Sequence, residues 1–246
     1  MALSVVLLIT SVNTLLTTSY IILFLNVGLN TYESVLLAFL ITLSSNLLGG
    51  LNLRVGNIVL SDELRKASVI KLRGNYLVQS LRFKPFKNIT VELNLGGALV
   101  PLIVSILILT YIVSYYGVIP LLITSLLITS ATLIINRVSI VIKGLGLAVP
   151  VLIVSVIVSL LSLIMDIITG LCKGLSIHYS YLVAYTSVLL GVDLMNINKV
   201  SLYDARKLII GGLKLYDALS LMPATSTVIT YIVITIINTY LNAFIQ

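Results

Sequence analysis

The chain is poor in most of what water-soluble surfaces, disulfides and zinc sites are made of. Only 9% of its 246 residues are charged, tryptophan is absent, and there is one cysteine and one histidine. A soluble domain carries about 25% charged residues, so an ordinary globular surface is excluded. Cys172 stands alone, which excludes an intrachain disulfide. Cys172 and His178 are too few for a nitrogen–sulfur zinc site, and no metal or cofactor is expected. The glycines at Gly144 and Gly146, followed by Pro150, form no phosphate-cradling loop, because no Lys-Ser/Thr pair follows them in register and no strand is expected before them. They predict a bent approach to a helix.

What is abundant is apolar sequence, 59% of the chain, and it comes in long uncharged blocks. A helix needs about 20 apolar residues to cross the hydrocarbon of a bilayer. Seven blocks qualify: Leu3–Leu25, Ser34–Leu51, Leu93–Tyr116, Gly117–Asn136, Leu147–Leu171, Tyr179–Asn198 and Asp217–Ile245. The first has no basic stretch before it and is too long for a signal-peptide core, so it reads as a retained helix. Tyr111, Tyr115, Tyr116, Tyr179 and Tyr181 take the interfacial role that tryptophan would share. The expected fold is an all-α integral membrane protein, a bundle of about seven transmembrane helices, and the whole of 1–246 is one domain.

The net charge is +7. Its residues lie in loops without interleaved aromatics, so the partner is the lipid bilayer and not nucleic acid. Fourteen of the 15 lysines and arginines fall in loops on one side of the alternating helices, and only Lys173 falls on the other. Basic loops stay in the cytoplasm, which predicts a multi-pass cell-membrane protein with its N-terminus inside and its C-terminus outside. The polar segment at 52–92 is the one sizeable loop. Within it Ser68–Lys84 reads as a β-hairpin turning at Gly74-Asn75, and Asn88–Leu93 as a third extended run.

Two aspartates carry the possible chemistry. Asp193 lies near the cytoplasmic end of the sixth helix and Asp217 opens the seventh from the same side. Consecutive helices joined by a short connection are antiparallel neighbours, so the carboxyls are placed at one depth. Ionisable groups at membrane depth are costly and point to function. Two carboxyls a few ångströms apart share one proton, and such a pair serves as base and acid together. Thr186 and Asn196 lie at helical spacing from Asp193, and Ser220, Ala224 and Thr227 from Asp217, as on packed membrane-helix faces. Asn94, Gly96 and Gly97 enter the third helix beside the pair. Together with Asn196 and Ser220 they are the candidates for contacting a membrane-spanning peptide substrate. Asp166 ends a stripe of Ser155, Ser159 and Ser162 near the outer face, too far from Asp193 to join it. The same pair would equally suit an ion- or proton-coupled transporter, or each aspartate could pair with a lysine in a membrane assembly partner without chemistry. The oligomeric state is open.

The runs Asn94-Leu95-Gly96-Gly97-Ala98-Leu99-Val100-Pro101, Gly144-Leu145-Gly146-Leu147-Ala148-Val149-Pro150, Gly191-Val192-Asp193-Leu194-Met195-Asn196 and Gly211-Gly212-Leu213-Lys214-Leu215-Tyr216-Asp217 resemble the archaeal and bacterial membrane-protein family of unknown function DUF1614, over roughly Leu47 to Thr227. In the last run the family has a Gly-Gly-x-Gly-x-Phe-Asp-Gly pattern; here Lys214 and Ala218 stand in place of glycines. More loosely, Asp193 and Asp217 resemble the pair of the intramembrane aspartyl proteases, the presenilins, signal peptide peptidases and prepilin peptidases. That likeness implies endopeptidase activity. The Pro-Ala-Leu element of the presenilin-like enzymes is missing, and Met222-Pro223-Ala224-Thr225 does not replace it.

Overall fold

The computed structural model describes residues 2–59, 88–142, 146–169, 175–197 and 207–245. Seven α-helices lie among them: α1 (Ala2–Val27), α2 (Thr31–Leu48), α3 (Val100–Tyr116), α4 (Ile119–Val138), α5 (Val151–Thr169), α6 (Ser176–Val188) and α7 (Ala218–Ile245). Each falls on one of the seven apolar blocks. Their ends follow local chemistry. Asn30 caps α2, its Oδ1 accepting the Glu33 N–H while Glu33 Oε2 accepts the Asn30 N–H, a reciprocal capping box. Gly117 at φ +79° turns the chain from α3 into α4, which starts with a proline in its first turn, where no intrahelical N–H is lost.

Six segments among the described residues are long and apolar enough to cross a membrane. Their outward faces carry Leu7, Leu36, Ile103, Leu126, Leu152 and Ile236, all exposed. A ring of helices with apolar outer faces is the pattern of a membrane protein. The remaining helix, α6, is the central one. All of its residues but Thr186 are buried, including Tyr179, Tyr181 and Tyr185, as expected for a helix surrounded by others.

Small polar residues join the helices. Asn13 and Asn46 bond across α1 and α2, as do Thr17 and Thr42. Ser155 and Ser159 of α5 donate to the Met222 and Ser226 carbonyls of α7. These carbonyls flank Pro223, which has no N–H to offer the helix. Hydroxyl-mediated contacts of this kind are common between membrane helices.

The β-structure goes beyond the expected small element of a hairpin and a third extended run, and makes the chain more than all-α. Strand β1 (Asn52–Val59) pairs antiparallel with β2 (Asn88–Asn94), with a bulge between Arg54 and Gly56. Strand β5 (Lys207–Ile210), from the connection between α6 and α7, adds parallel to β2, and Lys207 Nζ meets Glu92 2.6 Å away. A separate ribbon of β3 (Ile140–Ile142) and β4 (Gly146–Ala148) leads into α5, so a strand does precede Gly144, contrary to expectation. The expected hairpin at Ser68–Lys84 lies outside the described residues. The expected run Asn88–Leu93 is β2.

Candidate functional site

The site is built where β2 runs into α3, α6 runs out and α7 begins. After β2 the chain makes a π-helical turn, Leu95–Leu99, before α3. Asn94 fixes that turn with its whole side chain. Its Oδ1 accepts the Gly97 N–H at 2.7 Å. Its Nδ2 donates to Gly49 O, Leu51 O and Asn52 Oδ1. Gly96 rests against the C-terminal turn of α2, and Gly97 against the backbone of Gly211 and Lys214. The two glycines therefore admit neighbouring backbones where any Cβ would intrude.

Asp217 is positioned by the connection after β5. Gly211 turns at φ +73°. A 3-10 turn at Lys214–Tyr216 follows, with Lys214 itself at φ +61°. Asp217 is then extended and caps α7: its Oδ1 accepts the Leu219 N–H at 3.1 Å and its Oδ2 the Leu213 N–H at 3.2 Å. Burial pushes this carboxyl above the ordinary aspartate value of 3.8, against the pull of the N–H donors of Leu219 and Leu213.

Asp193 sits in a second π-helical turn, Leu189–Leu194, that continues α6. Such turns recur at functional sites because they displace one residue from the helical register. The turn is held from α4. Asn136 Nδ2 donates to Gly191 O at 2.9 Å, and Gly191 packs on the Thr132 backbone. Asn196 Nδ2 donates to Gly191 O, Val192 O and Ser139 Oγ. Asp193 Oδ2 is buried with no hydrogen-bond partner among the described residues.

The structure brings Asp193 and Asp217 within electrostatic reach of each other and of Tyr185. Ser220 lies in the first turn of α7, its N–H donating to Asp217 O and its hydroxyl to Gly97 O at 3.1 Å. Thr186 donates to Leu182 O and Val183 O of its own helix. Asp166 belongs to the opposite end of the bundle, where its Oδ2 accepts both the N–H and the hydroxyl of Ser176. Tyr185, Asn136 and Ser139 were not singled out by sequence. Tyr185 could have been found from its spacing, about two helical turns before Asp193 on the same helix.

Residues 46–230 match the family DUF1614, described as a protein of unknown function. The match covers well over half of the chain, and the chain belongs to that family. No curated protein and no solved structure matches it.

Proposed function

We propose that this DUF1614 protein is an intramembrane aspartyl endopeptidase. In this reading its helices cross the cell membrane, the N-terminus and the three-stranded sheet are cytoplasmic, and the C-terminus is outside. The positions of Arg54, Arg137, Lys207 and Lys214, all at the sheet's end of the bundle, support that orientation.

The observation that carries the proposal is the unequal surroundings of two interacting carboxyls. Asp217 has two backbone N–H donors at a helix N-terminus, which favours its charged form. Asp193 Oδ2 has no donor among the described residues, and a buried carboxylate without donors is costly. The roles divide accordingly. Asp217 takes a proton from water as the water oxygen bonds to the peptide carbonyl carbon. Asp193 gives its proton to the carbonyl oxygen. The proton held by Asp217 then passes to the leaving amide nitrogen as the C–N bond breaks, while Asp193 takes back a proton from one hydroxyl of the tetrahedral intermediate, which leaves the carboxylic acid product and the starting protonation of the pair. Asn94, Gly96, Gly97, Asn196 and Ser220 serve as the wall that sets this geometry, since the Asn94 side chain, Asn196 Nδ2 and the Ser220 hydroxyl are engaged within the fold. Substrates would be membrane-spanning peptides.

The test is the purified protein in lipid with a panel of single-span substrates, beside Asp193→Asn and Asp217→Asn. Asn keeps the shape but cannot exchange the proton. Each variant should lose cleavage by about 10²-fold or more, and the double variant should lose little beyond either. Cleavage that survives in both variants overturns the dyad. A wild type that cleaves nothing, with Asn variants that lose proton- or cation-coupled uptake, would assign the pair to transport.

A further inference from the structure

Two consecutive carbonyls of the first π-helical turn are each held by a hydroxyl from an aspartate-bearing helix. Tyr185, on α6 with Asp193 beyond its end, donates to Ala98 O at 2.9 Å, and the bond is buried. Ser220, one turn into α7 behind Asp217, donates to Gly97 O at 3.1 Å, also buried. Gly97 is in turn packed directly on Gly211 O and Lys214 O, the backbone that delivers Asp217. The segment Gly96-Gly97-Ala98 is thus a common reference to which both helices are fastened. It is itself anchored through Asn94 to the end of α2.

We propose that Tyr185 and Ser220 are positioning residues that hold the two aspartates in register by clamping α6 and α7 to the Gly97–Ala98 carbonyls. This inference rests on the reading of Asp193 and Asp217 as a working pair, and it adds residues that act without touching substrate. Both hydroxyls are buried and each reaches one backbone carbonyl across the helix interface, Tyr185 at 2.9 Å and Ser220, by a longer bond, at 3.1 Å. Loss of either leaves a buried carbonyl with one acceptor site open, which is tolerable for folding. It also frees the helix that carries the carboxyl. Misplacement of a reacting group by about 1 Å costs on the order of a hundredfold in rate.

The variants are Tyr185→Phe and Ser220→Ala, which remove the hydroxyl and little else. The first readout needs no catalysis. Asp193→Cys and Asp217→Cys are combined with Cys172→Ser, and the rate of joining by a short thiol cross-linker is measured in lipid. Adding Tyr185→Phe or Ser220→Ala should slow cross-linking several-fold in protein that elutes and melts as folded. Unchanged cross-linking in both backgrounds overturns the clamp; a merely structural role would lower the melting temperature and leave this rate alone. The second readout is cleavage with the aspartates intact. Each variant should lower kcat by about tenfold to a hundredfold with KM unchanged, and the double variant should be no worse than the poorer single one, since the two bonds serve one geometry. A raised KM at constant kcat overturns the assignment. A parent that cleaves nothing removes the endopeptidase reading, and the cross-linking rate still decides the clamp. Where Tyr185→Phe fails to fold, Ser220→Ala carries the same two expectations alone.

Discussion

A Cβ atom on Gly96 would stand 2.0 Å from the carbonyl oxygen of Ser45. The backbones of the π-helical turn and of α2 therefore meet with nothing between them. Gly96→Ala must push α2 away from the wall of the site. Overpacking of this kind costs about 1–3 kcal/mol or more, so the melting temperature in detergent should fall clearly. Gly50→Ala is the control. Its Cβ would meet nothing within 4 Å, and its effect should stay within about 0.5 kcal/mol. Equal behaviour of the two variants would contradict the close contact.

Lys214 is the one non-glycine residue among the described residues at positive φ, +61°. A side chain in this conformation costs about 1–2 kcal/mol, part of which glycine returns as lost chain entropy. Lys214→Gly should stabilise the protein by about 0.5–1 kcal/mol, seen as a higher melting temperature. A fall in stability would show that the lysine side chain contributes more than its backbone strain.

Asp217 caps α7, so Asp217→Ala should destabilise by about 1 kcal/mol, and Asp217→Asn by less. The pH profile gives a separate check. The folded carboxyl lies above its ordinary value of 3.8, so the native state holds its proton more tightly than the unfolded chain. This contribution to stability is complete below the unfolded value and is lost as pH rises through the folded one. Wild type should therefore lose stability relative to Asp217→Asn as pH is raised from below 3.8. A difference that does not vary with pH would show that burial does not govern this carboxyl.

Asn75 and Ser114 lie in the long loop and near the end of α3, at opposite ends of the proposed topology. In a Cys172→Ser background, single cysteines at the two positions should react with an impermeant thiol reagent from opposite faces of the membrane. Reaction from the same face would break the proposed crossing pattern.

The helices were legible because each is a long uncharged block, and their ends were legible where a cap or proline marks them, as at Asn30 and Pro120. The sixth helix was the least well placed. Its apolar block is Tyr179–Asn198, yet α6 starts at Ser176 and gives way to a π-helical turn at Leu189, a change of pitch for which apolar spacing carries no signal. The sheet was legible only at β2. Strand β5 is four residues long and pairs with a strand more than a hundred residues earlier, so nothing local to Lys207–Ile210 announces it. For the site, the sequence pointed to the two aspartates through their rarity in apolar surroundings. It could not show that Asp217 is also a helix cap, nor that Tyr185 reaches Ala98, a partner 87 positions away.

The parallel pairing of β5 with β2, and the bonds from Tyr185 and Ser220 to the first π-helical turn, have a consequence for biogenesis. A nascent chain emerges N-terminus first. When β2 and α3 are made, the Ala98 carbonyl must wait 87 residues for its donor and the Gly97 carbonyl 123. Until β5 leaves the ribosome, one edge of β2 is open, and until α7 follows, the turn is fastened by Tyr185 alone. The aspartates therefore come into register as one of the last events of synthesis. A chain stalled before β5 would insert most of its helices and stay inert, with its open strand edge available to quality-control factors that recognise unfinished membrane proteins.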